Sequence, residues 1–293
     1  MSSAEKAAGL LMKLEPEEFR VLQAIELGMA NYSFVPMEEL LKFAKMPERE
    51  AEFRLKELNK KDLIYRKPDP YPGYILNYTG YDLLALNALA KADILNSLGR
   101  PIGVGKESDI LDAITDEGER VALKFHRLGR TSFRETRRKR GYIERRGHVS
   151  WHYQSRLAAE KEFSIQSRVH NRGVSTPRPI HQNRHVIVME YIDGYNLNDI
   201  ARLDDPSGFL DDILENVRAT FRTGVIHADL SEYNIVVQKD GTVLLIDWPQ
   251  AVNVEHPNAE SLLERDVRNV LRFFQRKFSV YRSLEETLDY VKN

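Results

Sequence analysis

The chain has no cysteine, which excludes disulfide staples and thiolate metal sites. It has no apolar run near the ~18 residues that a membrane span needs. Its formal net charge is only -1, so nothing pulls the whole molecule toward nucleic acid or a membrane surface. Any such binding has to rest on local patches. The first residues, Met-Ser-Ser-Ala-Glu-Lys, lack a secretory leader pattern. These absences together suit a reducing, cytoplasmic setting. What is present is ordinary soluble composition, 42% hydrophobic and 30% charged, over 293 residues, long enough for two domains.

The most informative stretch is Ile226-His227-Ala228-Asp229-Leu230-Ser231-Glu232-Tyr233-Asn234, followed at a distance by Ile246-Asp247-Trp248. The apolar residues between Asn234 and Asp247 predict two strands joined at Asp240-Gly241, a hairpin signal. With those two as the loop, counting outward sets Asn234 opposite Asp247, with Cβ atoms ~5 Å apart. An amide oxygen beside a carboxylate suits a hard divalent cation such as Mg2+. Asp229 is a second acid on the incoming loop, able to take a proton from a hydroxyl. Asp and Asn are common turn residues, so no one of the three carries the argument; the joint pattern does. His227 is expected to brace the loop without chemistry.

The N-terminal part predicts helices over 4–14 and 16–30, then two more starting near Pro36 and Pro47. Strands at 63–66 and 74–76 follow, joined by a proline-rich turn over 67–73. Helices followed by a β-hairpin give the winged-helix order. Helix 47–60 then becomes the recognition helix, with Arg49, Arg54, Lys56, Lys60 and Lys61, and the wing adds Arg66 and Lys67. Such residues suit phosphate contacts, although interleaved glutamates dilute the charge. Thr79-Gly80-Tyr81-Asp82 resembles a capping box and opens a connector helix reaching to about Gly99. The domain boundary is expected near residue 91, giving a winged-helix domain over 1–91 and a second domain over 92–293.

That second domain opens with Gly103-Val104-Gly105-Lys106-Glu107-Ser108, a glycine-containing turn able to fold over phosphates. Ser108 replaces a third glycine and can offer its hydroxyl. A strand follows, and Lys124 then stands inside the apolar run Val121–Phe125, where a lysine needs an acidic partner. Helix 151–170 offers Glu160 and Glu162, of which Glu162 is preferred. Residues 126–150 are rich in arginine and read as a mobile basic insertion that docks on RNA phosphate or an acidic partner. Strand 186–192 ends at Asp193-Gly194 and reads as a hinge, where backbone groups of Glu190 and Ile192 would meet an adenine edge. Helices are expected over 206–224, 260–277 and 283–292.

In this order the glycine loop, strand lysine, helix glutamate, hinge, His-x-Asp-(x)4-Asn and metal aspartate resemble protein kinases. More closely, the chain resembles the RIO atypical protein kinases of the second subfamily, with an N-terminal winged helix. Gly105-Lys106-Glu107-Ser108-Asp109, Lys124–Gly129, His227–Asn234 and Ile246–Gln250 carry the match. The resemblance implies an α+β chain: a winged helix followed by a bilobal RIO kinase domain, small lobe about 92–192 and large lobe about 193–293. It implies Asp229 as the catalytic acid-base residue, with Asn234 and Asp247 holding Mg2+ or Mn2+. Lys124 would bind the ATP phosphates and pair with Glu162, Ser108 would touch them, and Ser132 matches the family's autophosphorylation position. Asp247 could itself accept phosphate. Ala228 replaces the arginine of His-Arg-Asp, and Asp247-Trp248-Pro249 replaces Asp-Phe-Gly. No Ala-Pro-Glu segment follows, so a usual peptide-docking platform is missing.

The resemblance therefore implies an ATP-dependent serine/threonine kinase or ATPase acting in small ribosomal subunit maturation, with precursor RNA or proteins as partners. A small-molecule phosphotransferase of the aminoglycoside or choline type shares the Asp229–Asp247 pattern, but needs neither residues 1–90 nor the arginine-rich segment 126–146. A non-catalytic RNA-binding factor is the third reading, and the full set of catalytic residue types argues against it.

Overall fold

In a computed structural model, residues 2–68, 71–105, 107–128 and 151–293 are described. The chain divides into two compact units, Met1–Leu157 with His181–Ile187, and Ala158–Ile180 with Val188–Asn293. Among the described residues no helix is long and apolar enough to cross a membrane.

The first unit begins with α1 (Ser3–Leu11) and α2 (Pro16–Gly28), then β1 (Val35–Pro36), α3 (Met37–Ala44) and α4 (Glu48–Lys60). Pro16 starts α2 and Glu18 closes its capping box, as the sequence leads one to expect. The wing is β2 (Ile64–Lys67) and β3 (Gly73–Leu76), antiparallel from Ile64↔Leu76 to Lys67↔Gly73, and β1 adds to β3. The cations on α4 are largely spent within the domain. Arg54 pairs with Glu50 and Glu15, Lys60 with Glu57, and Lys61 with Glu18. Arg49, Lys56, Arg66 and Lys67 stay exposed.

Helix α5 (Tyr78–Lys91) is the connector, and it departs from expectation at both ends. Its cap is Asn77, whose Oδ1 accepts the Gly80 N–H at 3.0 Å. Gly80 lies so close to the wing that a Cβ there would strike the Leu63 carbonyl oxygen. Asp82 is not part of a capping box; it is fully buried against Arg127. The helix also ends well before Gly99. Asp93 turns left-handed at φ 56°, the Ile94 N–H returns to the Leu89 carbonyl at 3.1 Å, and the chain leaves as a strand.

That strand, β4 (Ser97–Val104), pairs with β5 (Ser108–Ile114), and β5 with β6 (Arg120–His126). The glycine turn therefore joins two paired strands. Helix α6 (Trp151–His170) follows, then β7 (Pro179–Asn183) and β8 (Val186–Glu190), completing a five-stranded sheet in the order β4-β5-β6-β8-β7. Of the basic insertion expected over 126–150, residues 129–150 with Ser132 lie outside the described residues, as does Lys106; at its start the expectation fails, because His126 belongs to β6 and Arg127 is buried.

The second unit is mainly helical. Strand β9 (Gly194–Asn196) leads to α7 (Pro206–Arg222), which stops at Gly224, a left-handed glycine at φ 79°. Strand β10 (Val225–Ile226) enters the Asp229 loop. The hairpin β11 (Ile235–Gln238) and β12 (Val243–Leu245) lies beside β9, and β13 (Val252–Asn253) pairs with β10. Helices α8 (Ala259–Phe278) and α9 (Leu284–Lys292) close the chain. The core joins Leu210, Ile213, Val217, Leu230, Ile235, Leu245 and Trp248 to the α8 stripe Leu263, Val267, Val270 and Phe274. Side chains of this size contribute about 1.5–3 kcal/mol each when fully buried. The Asp229 loop thus rests on a continuous apolar floor.

Candidate active site

The hairpin behind the loop does not have the register that a two-residue turn would give. Val237 pairs with Val243, and the Gln238 N–H donates to the Thr242 carbonyl at 2.8 Å. The loop therefore has three residues, Lys239-Asp240-Gly241. Gly241 alone of them has positive φ, at 90°, whereas a two-residue type I′ turn needs two such residues. Asp240 Oδ1 accepts the Thr242 N–H at 2.9 Å and fixes this choice. A shift of one residue changes every partner. Asn234 faces Ile246, whose N–H donates to its carbonyl at 3.0 Å, and not Asp247. Asp247 lies one residue further on, at a left-handed φ of 71°, and that turn sets the direction of its carboxylate.

Asp229 is exposed while Ala228 and Leu230 beside it are buried. The cause is Asp266 on α8. Its carboxylate accepts the Ala228 N–H at 2.7 Å and the Leu230 N–H at 3.1 Å. Arg265 binds the Ala228 carbonyl, and Asn269 donates to the Leu230 carbonyl at 3.1 Å. Ala228 is held left-handed at φ 62°, a conformation alanine adopts only under such restraint. The Asn234 amide donates to the Asp229 carbonyl at 2.8 Å. With its donor engaged there, its Oδ1 is left as the acceptor, the atom a hard cation would use. One amide oxygen and one carboxylate suit Mg2+, which keeps water and phosphate as its other ligands. Among the described residues no group of three or more His, Cys, Asp or Glu forms a fuller cage.

His227 is buried and its Nε2–H donates to the Ile246 carbonyl at 2.9 Å. Burial lowers its pKa against the pull of that carbonyl, so it stays neutral and braces the loop. Its ring lies 4.6 Å from that of Trp248. Trp248 is fully buried, its Nε1 donates to Thr176 Oγ1 at 3.0 Å, and its N–H reaches Glu162 Oε1 at 3.3 Å. Glu162 is 1% exposed, whereas Glu160 is half-buried, so Glu162 is the inward acid of α6.

In the first unit the strand register places the other candidates. Ser108 pairs with His126 and Ile110 with Lys124. Paired residues share a face, so Ser108 and Lys124 are diagonal neighbours on one side of the sheet, ~7–8 Å apart. Lys124 is 5% exposed, so it does not lie on a solvated face of the sheet. At the expected hinge, the Glu190 N–H donates to the Arg178 carbonyl at 2.9 Å. Ile192 follows, half-buried.

Asp266 escaped the sequence reading. Its signal was an acid three residues after Leu263 and four before Val270, on a helix face otherwise apolar. Burial pushes its carboxyl up to about 7, against the two backbone donors that lower it. The folded chain thus holds an extra proton between pH 3.8 and about 7, so this group's contribution to stability falls as pH rises through that window. Protonation removes one of the two acceptors gripping the loop. Turnover should therefore rise with pH through about 7. In Asp266→Asn that limb should be absent and turnover lower by about 10²-fold, as expected for a slightly displaced group. A pH–rate profile of both proteins checks it.

An outward acid on a clamped loop, with an asparagine and a further aspartate after it, is the arrangement of the protein-kinase class of phosphotransferases. Comparison with known proteins narrows that class. Residues 109–287 match the RIO domain, and residues 11–92 match the Rio2 N-terminal domain. The serine/threonine-protein kinase rio2 of Schizosaccharomyces pombe is 40% identical over 266 residues, 90% of this chain and 77% of the relative. The RIO-type kinase Rio2 of Methanocaldococcus jannaschii is 40% identical over 253 residues, 85% of this chain and 92% of the relative. The Chaetomium thermophilum Rio2 kinase, solved as an ADP/Mg2+-phosphoaspartate complex, superposes with a TM-score of 0.85 at 36% identity, covering 98% of this chain and 89% of that one. The chain belongs to the RIO family, in its Rio2 branch.

Proposed function

We propose that this chain is an atypical serine/threonine kinase and ATPase that uses ATP with Mg2+ and phosphorylates itself. The observation that carries this is the exposed Asp229 between two residues clamped by Asp266. Asp229 orients the attacking oxygen and accepts its proton. Asn234 Oδ1 and the Asp247 carboxylate hold Mg2+, which neutralises phosphate charge when bound. Lys124 and Ser108 bind the phosphates, with Glu162 as the acid that pairs with Lys124. The Glu190 carbonyl and the Ile192 N–H meet the adenine edge. Two acceptors are in view, Ser132 and Asp247. On Asp247 the γ-phosphoryl would move to a carboxylate oxygen as its bond to ADP breaks, leaving an acyl phosphate. The phosphoaspartate of the Chaetomium relative supports that choice.

The setting we propose is maturation of the small ribosomal subunit in the cytoplasm, with precursor RNA or protein as partner. The exposed Arg49, Lys56, Arg66 and Lys67, with the arginines of residues 126–146 other than the buried Arg127, are the phosphate contacts in this reading. The Rio2 N-terminal match over 11–92 favours it over a small-molecule phosphotransferase. Incubation with labelled ATP and Mg2+, with and without small-subunit particles, tests it. We expect label on the chain itself, and faster ATP turnover with particles. Label removed by hydroxylamine is an acyl phosphate, as expected on Asp247; label that resists it is a hydroxyl ester, as expected on Ser132. Rapid transfer to a small alcohol with no label on the chain would overturn the reading.

A further inference from the structure

Asp82 and Arg127 form a fully buried pair. Arg127 Nη1 donates to Asp82 Oδ1 at 2.6 Å and Nη2 to Oδ2 at 2.8 Å, a two-pronged contact of the strongest kind. Arg127 Nε donates to Asp109 Oδ2 at 3.1 Å. His185 Nε2 lies 2.7 Å from the same Asp82 oxygen. The guanidinium sits over the rings of Phe125 and Tyr78, at 5.1 and 5.5 Å. Taking such charges out of water costs so much that apolar residues of like volume often serve stability equally well. A role in positioning explains the pair better than stability does.

Strand alternation shows what is positioned. Ser108 and Lys124 lie on one face of the β5–β6 pair; Asp109 and Phe125 lie on the other, where Arg127 meets them. The Arg127 N–H also donates to the Glu107 carbonyl at 2.6 Å, and the Gly105 N–H to the Ser108 carbonyl at 2.8 Å. Arg127 therefore grips both neighbours of Ser108, Glu107 through its backbone and Asp109 through its side chain. Asp82, which orients the guanidinium, belongs to the connector helix α5.

We propose that Arg127 is a positioning residue for Ser108, and that Asp82 makes the hold on nucleotide phosphates depend on the seating of the winged-helix connector. This rests on the reading of Ser108 and Lys124 as phosphate ligands. Coupling of this kind is reciprocal: nucleotide bound at the turn favours the seated connector, and a partner that shifts the connector weakens phosphate binding.

The test uses the full chain and two probes, Mg-ATP and adenosine, which has no phosphates. In Asp82→Leu/Arg127→Met the charges are replaced together by apolar side chains. We expect ATP affinity to fall by about tenfold or more with adenosine affinity unchanged, the scale of one lost charged hydrogen bond. Arg127→Lys keeps the charge but not the fork, and should fall part of the way; it decides the matter if the double variant does not fold. Unchanged binding of both probes, or an equal loss of both, would overturn the proposal. If the unaltered protein binds ATP no better than adenosine, the phosphate reading itself fails and this proposal falls with it.

Discussion

Asp229→Asn should lower ATP turnover by about 10²–10⁴-fold, the range for losing a positioned general base. Its melting temperature should stay within a degree or so of the unaltered chain. Both expectations come from the same geometry. Asp229 is exposed, and the contacts that hold its loop are made by the backbone of Ala228 and Leu230 and by the Asn234 amide on the Asp229 carbonyl. None of these uses the Asp229 carboxylate. Nucleotide binding should also persist, because phosphates and adenine meet other residues in the proposed site. Single-turnover measurements with Mg-ATP, paired with a thermal melt, check both parts. Equal loss of folding and turnover would make Asp229 a structural residue.

The second large effect is on stability. Asp82→Ala leaves the Arg127 guanidinium buried with Asp109 as its remaining carboxylate. Breaking a buried pair from one side costs about 3–5 kcal/mol. Asp112→Ala, which breaks the surface pair with Arg120, should cost about 0–1 kcal/mol and serves as the control. Urea titrations give both numbers. The Asp82 effect also has a pH signature. Burial raises its carboxyl, but the Arg127 charge and His185 outweigh burial and hold it at about 2. Its folded pKa is thus below the ordinary value of 3.8, so its contribution is complete above that pH and is lost as pH falls toward about 2. The gap between Asp82→Ala and the unaltered chain should narrow across that interval.

The sequence made the helices and the hairpin legible because each carries a local signal: Pro16 and the first-turn acids of α2, or Asp240-Gly241 between apolar runs. It made the residue types of the site legible through the spacing of Asp229, Asn234 and Asp247. Three features were hidden, one a local choice between two turns and two set by distant partners. The hairpin register depended on whether Asp240 or only Gly241 would take positive φ, and the Asp240–Thr242 bond decided it. Asp82 reads as a cap because its neighbours in sequence suit one; its partner is 45 residues away. Asp266 serves a loop 36 to 38 residues upstream, and no pattern within α8 announces which backbone groups it will meet. The end of α5 is hidden for a related reason. Leucines continue past Lys91, but the left-handed turn at Asp93 and the pairing of β4 with β5 stop the helix.

The tryptophan after Asp247 restricts how such an enzyme can be turned off. In protein kinases with phenylalanine at that place, the packing of the ring sets active and inactive states. Here the corresponding indole has no solvent exposure, and both of its N–H groups, ring and main chain, have acceptors within the same unit. Swinging the segment outward would open a hole the size of the largest side chain and orphan two donors. An inhibitor that requires such an outward state should find none to capture.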